Sequence, residues 1–156
     1  MPAPPPSLKS RALRLLAQRE HSRSELTAKL ARHVQEGDDL PALLDALQAK
    51  GYIDEARVAA SVLHRRAPLL GTQRVLQELR RKGLGEDLVR ASADTLAASE
   101  VQRARAVWRK RFGAPPASAQ ERARQMRFLA ARGFSTDAVR RAVQGGADDE
   151  AQGDAE

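Results

Sequence analysis

The run Arg74-Val75-Leu76-Gln77-Glu78-Leu79-Arg80-Arg81-Lys82-Gly83-Leu84 returns fifty positions later as Arg124-Gln125-Met126-Arg127-Phe128-Leu129-Ala130-Ala131-Arg132-Gly133-Phe134. Both copies begin on arginine and space their inward positions at i, i+3 and i+7 (Leu76, Leu79, Gly83; Met126, Leu129, Gly133). Both close on a basic residue, a glycine and an apolar residue. Cations suit the negative end of a helix, and a glycine just past that end takes the left-handed cap conformation. A fainter copy lies upstream, where Glu25-Leu26-Thr27-Ala28-Lys29-Leu30 aligns with the stretch from Arg74 to Leu79. A unit repeated three times at a spacing near fifty predicts a helical repeat protein.

Working outward, turn chemistry divides each unit into three helices. In the first unit a helix starts near Ser7 with the stripe Leu8, Ala12, Leu15 and Leu16. The second begins at the capping box Ser22-Arg23-Ser24-Glu25, and the third, over 40–50, presents Leu40, Leu43, Leu44 and Leu47. The second unit reads as helices over 54–66, 72–82 and 86–96, with Asp54 as a cap and Pro68 and Gly71 as breakers. The third reads as 101–112, 121–132 and 136–144, with Ser135 as a cap. No convincing strand is found. The expected fold class is therefore all-α, three tandem three-helix repeats over 7–53, 54–98 and 99–144, stacked as an elongated, curved body. The Pro-rich start, 1–6, and the acidic end, 145–156, are expected to be disordered.

Composition narrows the function classes. Of the 156 residues 42% are apolar but only 3% aromatic, so a core of Leu, Ala and Val is implied and base stacking on an aromatic sheet is disfavoured. Without cysteine there is no disulfide, thiolate metal site or cysteine nucleophile. His21, His33 and His64 lack metal spacing, and no Gly-rich phosphate loop follows a strand, so neither an enzyme nor a cofactor is expected. No apolar run approaches a membrane span, and a cytoplasmic monomer is the expectation. Net charge is +7, and five acidic residues in 145–156 leave a body of +12, which calls for an anionic partner.

The basic clusters fix the candidate partner-binding residues: Arg65, Arg66, Arg80, Arg81, Lys82, Arg124, Arg127, Arg132, Arg140 and Arg141. Phe128 joins them, because a helical wheel places it opposite Ala123, Met126 and Ala130 and beside Arg124 and Arg132. The equivalent positions of the other units hold Lys29 and Glu78. An aromatic between arginines fits an interface anchor with a basic rim, and it fits equally a ring packed under Trp108 or Phe112.

In order and spacing these residues resemble the RecX family, regulators of the bacterial recombinase RecA. The resemblance covers nearly all of 10–144. It rests on Arg19-Glu20-His21-Ser22-Arg23-Ser24-Glu25-Leu26 and Lys50-Gly51-Tyr52-Ile53-Asp54-Glu55-Ala56-Arg57. It rests further on Lys82-Gly83-Leu84, and above all on Arg127-Phe128-Leu129-Ala130-Ala131-Arg132-Gly133-Phe134-Ser135 after Trp108 and Phe112-Gly113. Val58 departs from the pattern where the family has an aromatic, and the loop over 34–39 is longer than its counterpart in the second unit. The resemblance implies three tandem three-helix modules and a non-enzymatic role. The protein would bind the RecA filament on single-stranded DNA, lodge along its groove, and inhibit filament growth, ATP hydrolysis and strand exchange; direct contact with the single-stranded DNA stays open. Two other readings stay open from the residues alone: a helix-turn-helix DNA-binding regulator, and a helical adaptor for an acidic protein.

Overall fold

In the computed structural model the backbone is described over residues 1–153 and the side chains over 1–145. Among the described residues eight α-helices follow one another: α1 (Leu8–Gln18), α2 (Arg23–Leu30), α3 (Leu40–Ala49), α4 (Glu55–Arg66), α5 (Thr72–Arg81), α6 (Glu86–Arg111), α7 (Ala119–Ala131) and α8 (Thr136–Gly153). A 3-10 turn over Ala31–His33 extends α2. There is no strand among the described residues. The starts are set by side-chain caps: Ser7, Asp39, Asp54 and Ser118 each accept from a backbone N–H of the following first turn, and Ser22 with Glu25 forms the full capping box. Ser135 does the same for Ala138.

The core is split into three apolar clusters, the physical counterpart of the repeat. The first gathers Leu8, Ala12, Leu26, Leu30, Leu44, Leu47 and Ile53; the second Val58, Val62, Val75, Leu76, Leu79, Val89 and Leu96; the third Ala104, Trp108, Leu129, Phe134, Val139 and Val143. Val58, in place of an aromatic, is 2% exposed inside the second cluster. Each fully buried Leu or Val contributes about 1.5–3 kcal/mol, so a cluster of this size holds one small trio together with little surplus.

Two expectations about boundaries change. The helices expected over 86–96 and 101–112 are one 26-residue helix, so the boundary placed between 98 and 99 falls inside α6. Ala97-Ala98-Ser99-Glu100 carries neither glycine nor proline, and nothing there stops a helix. One half of α6 closes the second cluster and the other half opens the third, which fixes the two units rigidly to each other. The helix expected to end at 144 runs on to Gly153, since a helical glycine costs only about 1 kcal/mol and no proline follows Gly145 and Gly146. The remainder of the tail, 154–156, lies outside the described residues.

The units join by a repeated device. In each, the middle helix presents its N-terminus to the C-terminus of the next middle helix. Ser22 Oγ, capping α2, donates to the Lys82 carbonyl at the end of α5. Gly71 N, at the start of α5, donates to the Arg132 carbonyl at the end of α7 (2.8 Å), and Gln73 N to Gly133 O (3.3 Å). Carbonyls orphaned at one helix end thus find donors at another, with the two dipoles head to tail.

At the first joint Glu25 is the charged centre. It meets Arg19 at 2.6 Å and Lys82 at 3.3 Å, and accepts from Ser22 N. Burial alone would raise its carboxyl, but the Arg19 and Ser22 hydrogen bonds and the Lys82 charge outweigh it and hold the group at about 2. A depressed folded pKa stabilises above the unfolded value of 4.5, and that stabilisation is lost as pH falls toward 2. After screening it amounts to roughly 1–2 kcal/mol. Thermal melts between pH 6 and pH 2.5 are expected to show a smaller drop in Tm for Glu25→Gln than for the parent. Equal drops would show that Glu25 is not what links this joint to pH.

Candidate partner-binding groove

Phe128 lies half-buried on α7, with its ring edge-on to Phe112 (centroids 5.4 Å apart, planes at 85°). The guanidiniums of Arg132 and Arg111 lie 4.9 and 5.4 Å from the ring centroid. A cation over an aromatic face contributes about 0.5–1 kcal/mol where the site is exposed, so the two arginines hold the ring as much as the ring holds them. The wheel was right about Arg132 but not about its partner. Among the described residues the second cation is Arg111 of α6, while Arg124 lines a separate recess beside Glu121 and Gln125.

The inward stripe of α7 also differs from the expected one. Gln125 and Leu129 are buried and Ala130 is exposed. Gln125 goes inside because Trp108 Nε1 donates to its Oε1 at 2.8 Å, and its own Nε2 donates to Ala114 O. Buried polar groups need such partners. Trp108 is thereby occupied in the core, and Phe112 alone of the two aromatics packs against Phe128.

The Phe128 ring lines a groove of about 510 Å³ between the second and third units. Pro68 and Leu69 form one wall, Ala106 and Val107 the floor, and Lys110, Arg111 and Arg132 the rim; no acidic side chain lines it. Leu69 is 49% exposed, which makes it one of the few large apolar side chains left uncovered. Arg103 holds the Leu69 wall in place. Its Nη1 donates to Ala67 O and Leu70 O, Nη2 to Thr72 Oγ1 and Leu96 O, and Nε to Ser99 Oγ. All five donors of the guanidinium are used. Burial lowers its pKa, and Glu100 opposes that shift. Arg103, Leu69 and Lys110 were not legible as a set, because they come together only through the 67–71 loop folding onto α6.

The other cations sort by their partners. Arg66 pairs with Glu78 (2.9 Å), Arg80 with Glu86 (3.4 Å), and Arg140 and Arg141 both with Asp137 (2.8 and 3.1 Å). Lys82 is taken up by the joint with Glu25. Arg65, Arg81, Arg124 and Arg127 are exposed and carry no ion pair among the described residues.

No group of three His, Cys, Asp or Glu among the described residues is placed to hold a metal, and no described helix is long and apolar enough to cross a membrane. A row of helical trios, with an apolar groove rimmed by cations and furnished with an aromatic, defines a protein of the helical-repeat class. Comparison with known proteins makes the class specific. Residues 98–143 match the model of the third three-helix domain of RecX. The regulatory protein RecX of Leptothrix cholodnii is 53% identical over 138 residues, 88% of each chain. That of Ralstonia nicotianae is 50% identical over 145 residues, 93% of this chain and 91% of the relative. The crystal structure of RecX from Lactobacillus salivarius has the same fold at 17% identity, with a TM-score of 0.74 over 88% of this chain and 93% of that one. The chain belongs to the RecX family of regulatory proteins.

Proposed function

We propose that this protein binds the RecA filament assembled on single-stranded DNA and inhibits its growth, its ATP hydrolysis and strand exchange, without chemistry of its own. The observation that carries the reading is the Phe128 groove: a desolvatable aromatic with an aliphatic wall, ringed by Lys110, Arg111 and Arg132 and by no carboxylate. Interface anchors are aromatic side chains in partly closed pockets, surrounded by a polar rim. Such a groove fits a protein segment that offers an apolar side chain flanked by acidic groups. Three units in a row, locked by α6 and by head-to-tail helix joints, give a stiff ruler for an extended, repetitive partner.

A helix-turn-helix DNA-binding regulator is less well supported. Of the candidate arginines, the four that carry no ion pair among the described residues are spread over α4, α5 and α7, where a base-reading helix concentrates its contacts in one N-terminal turn. The test compares binding to RecA-coated and bare single-stranded DNA as salt is raised, together with ATP hydrolysis by RecA. Retention on the coated strand at salt that releases the bare one, and a slowed hydrolysis at protein concentrations below that of RecA, are expected. Equal affinity for both strands with RecA's rate unchanged would remove the proposal in favour of plain DNA binding.

A further inference from the structure

The first unit contains a second groove of about 510 Å³, between α1 and the α2 helix with its 3-10 extension, and its character is different. Two basic pairs at i, i+3 face each other across it: Arg11 and Arg14 on α1, Lys29 and Arg32 on the opposite wall. On a helix that spacing puts both members of a pair on one side. No acidic side chain lines the groove.

Five of the six carboxylates of this unit are committed elsewhere, and the sixth, Glu36, does not line the groove. Glu20 meets Arg57, Glu25 meets Arg19 and Lys82, Asp45 meets Arg23, Asp38 accepts from Gln35 N, and Asp39 caps α3. Arg11 and Arg14 have no side-chain partner among the described residues, and Arg32 donates only to the His33 ring at 3.2 Å. Lys29 is held by His21: the buried imidazole stands 3.0 Å from the Arg19 carbonyl through Nδ1 and 3.0 Å from Lys29 Nζ through Nε2. Burial lowers the His21 pKa, so the ring is neutral; Nδ1–H donates to the carbonyl and Nε2 accepts from the ammonium. A buried histidine that steadies a lysine without neutralising it keeps four positive charges facing one another across an open channel.

We propose that this groove binds the sugar-phosphate backbone of a single-stranded nucleic acid, independently of the Phe128 groove. Three of its four cations are arginines, whose planar fork matches phosphate oxygens in pairs. Its apolar content is Leu15, Ala28 and the buried Leu30, with no Phe, Tyr, Trp or Met to anchor a protein. The same lack leaves no platform for stacking bases, so binding is indifferent to sequence and steep in salt.

The experiment follows the fluorescence anisotropy of a labelled oligo(dT) with the full-length chain across a sodium chloride series. For Arg11→Gln/Arg14→Gln/Arg32→Gln we expect roughly a tenfold loss of affinity at low salt. The log–log salt slope should become shallower by about 2, near 0.7 for each phosphate contact removed, with the thermal melt unchanged. Phe128→Ala is expected to bind oligo(dT) as the parent does. If the triple variant melts early, the single Arg14→Gln, at an exposed and unpaired side chain, should still shift the slope by about 0.7. Unchanged affinity and slope overturn the proposal, as does loss of binding to a labelled polyglutamate peptide with oligo(dT) binding intact, which would assign the groove to an acidic protein.

Discussion

Gly71→Ala is expected to lower the melting temperature by about 10 °C and to abolish partner binding, although Gly71 touches no partner in the proposed function. The backbone at this residue is ordinary for alanine, with φ −72° and ψ 163°. Space is the obstacle: a Cβ there would lie 2.1 Å from Gly133 C and Phe134 N and 2.3 Å from Gly133 O. All three are backbone atoms, so no rotamer change relieves the overlap, and α5 and α7 must part by more than 1 Å. Parting them breaks the bonds from Gly71 N to Arg132 O and from Gln73 N to Gly133 O. The first bond is at a buried residue, where a backbone group left unsatisfied costs about 1–3 kcal/mol, the overlap itself adds to that, and at this chain length each kcal/mol lowers Tm by about 2–4 °C. The same shift carries Pro68 and Leu69 away from Phe128 and Arg132, which opens the groove from one side.

Gly85→Ala is the matched comparison. Gly85 is also an N-cap, with φ −65° and ψ 153°, and a Cβ there meets nothing within 4 Å. It measures the cost of alanine at the cap alone, about 0.5–1 kcal/mol. Similar losses of Tm in the two variants would mean that the joint between the second and third units tolerates separation and that close backbone contact is not what holds it.

What the sequence disclosed follows from where the information sits. Caps and periodic leucines are local, so the capping box at Ser22, the Asp54 and Ser135 caps, the leucines of the first cluster and Leu76 and Leu79 of the second were readable residue by residue. The stop between 96 and 101 was inferred from the repeat length rather than from any breaker, and a run of Ala, Ser and Glu simply continued as helix. Gln125 was not among the expected inward positions because its burial depends on Trp108, seventeen positions away, offering an indole N–H. Gly71 was legible as a breaker, whereas its role as the point of closest approach depends on Gly133, sixty-two positions on. The Phe128 groove was half legible: the aromatic and Arg132 share one helix, while Leu69, Lys110 and Arg111 arrive from two other segments. The basic groove in the first unit escaped entirely, since its two arginine-containing pairs lie on separate helices and neither pair forms a run.

Phe128→Ala separates the anchor from the packing residue. The ring packs edge-on against Phe112 and meets two guanidiniums, and it also lines the groove. Losing an edge-to-face pair costs about 0.5–1.5 kcal/mol beyond the area involved, so Tm should fall by only a few degrees. Binding to the RecA filament, by contrast, should weaken by roughly ten- to a hundredfold, the loss that truncating a central aromatic brings in an interface. Leu69→Ala acts on the opposite wall from a different unit and does not touch Phe112, so it should weaken the same binding with Tm nearly unchanged. If the groove is the docking site, the two variants share a partner contact and their losses will fall short of additive when combined. A Phe128→Ala protein that melts about 10 °C early yet holds the filament as tightly as the parent would make Phe128 a brace between α6 and α7, and the docking site would have to be sought among Arg65, Arg81, Arg124 and Arg127.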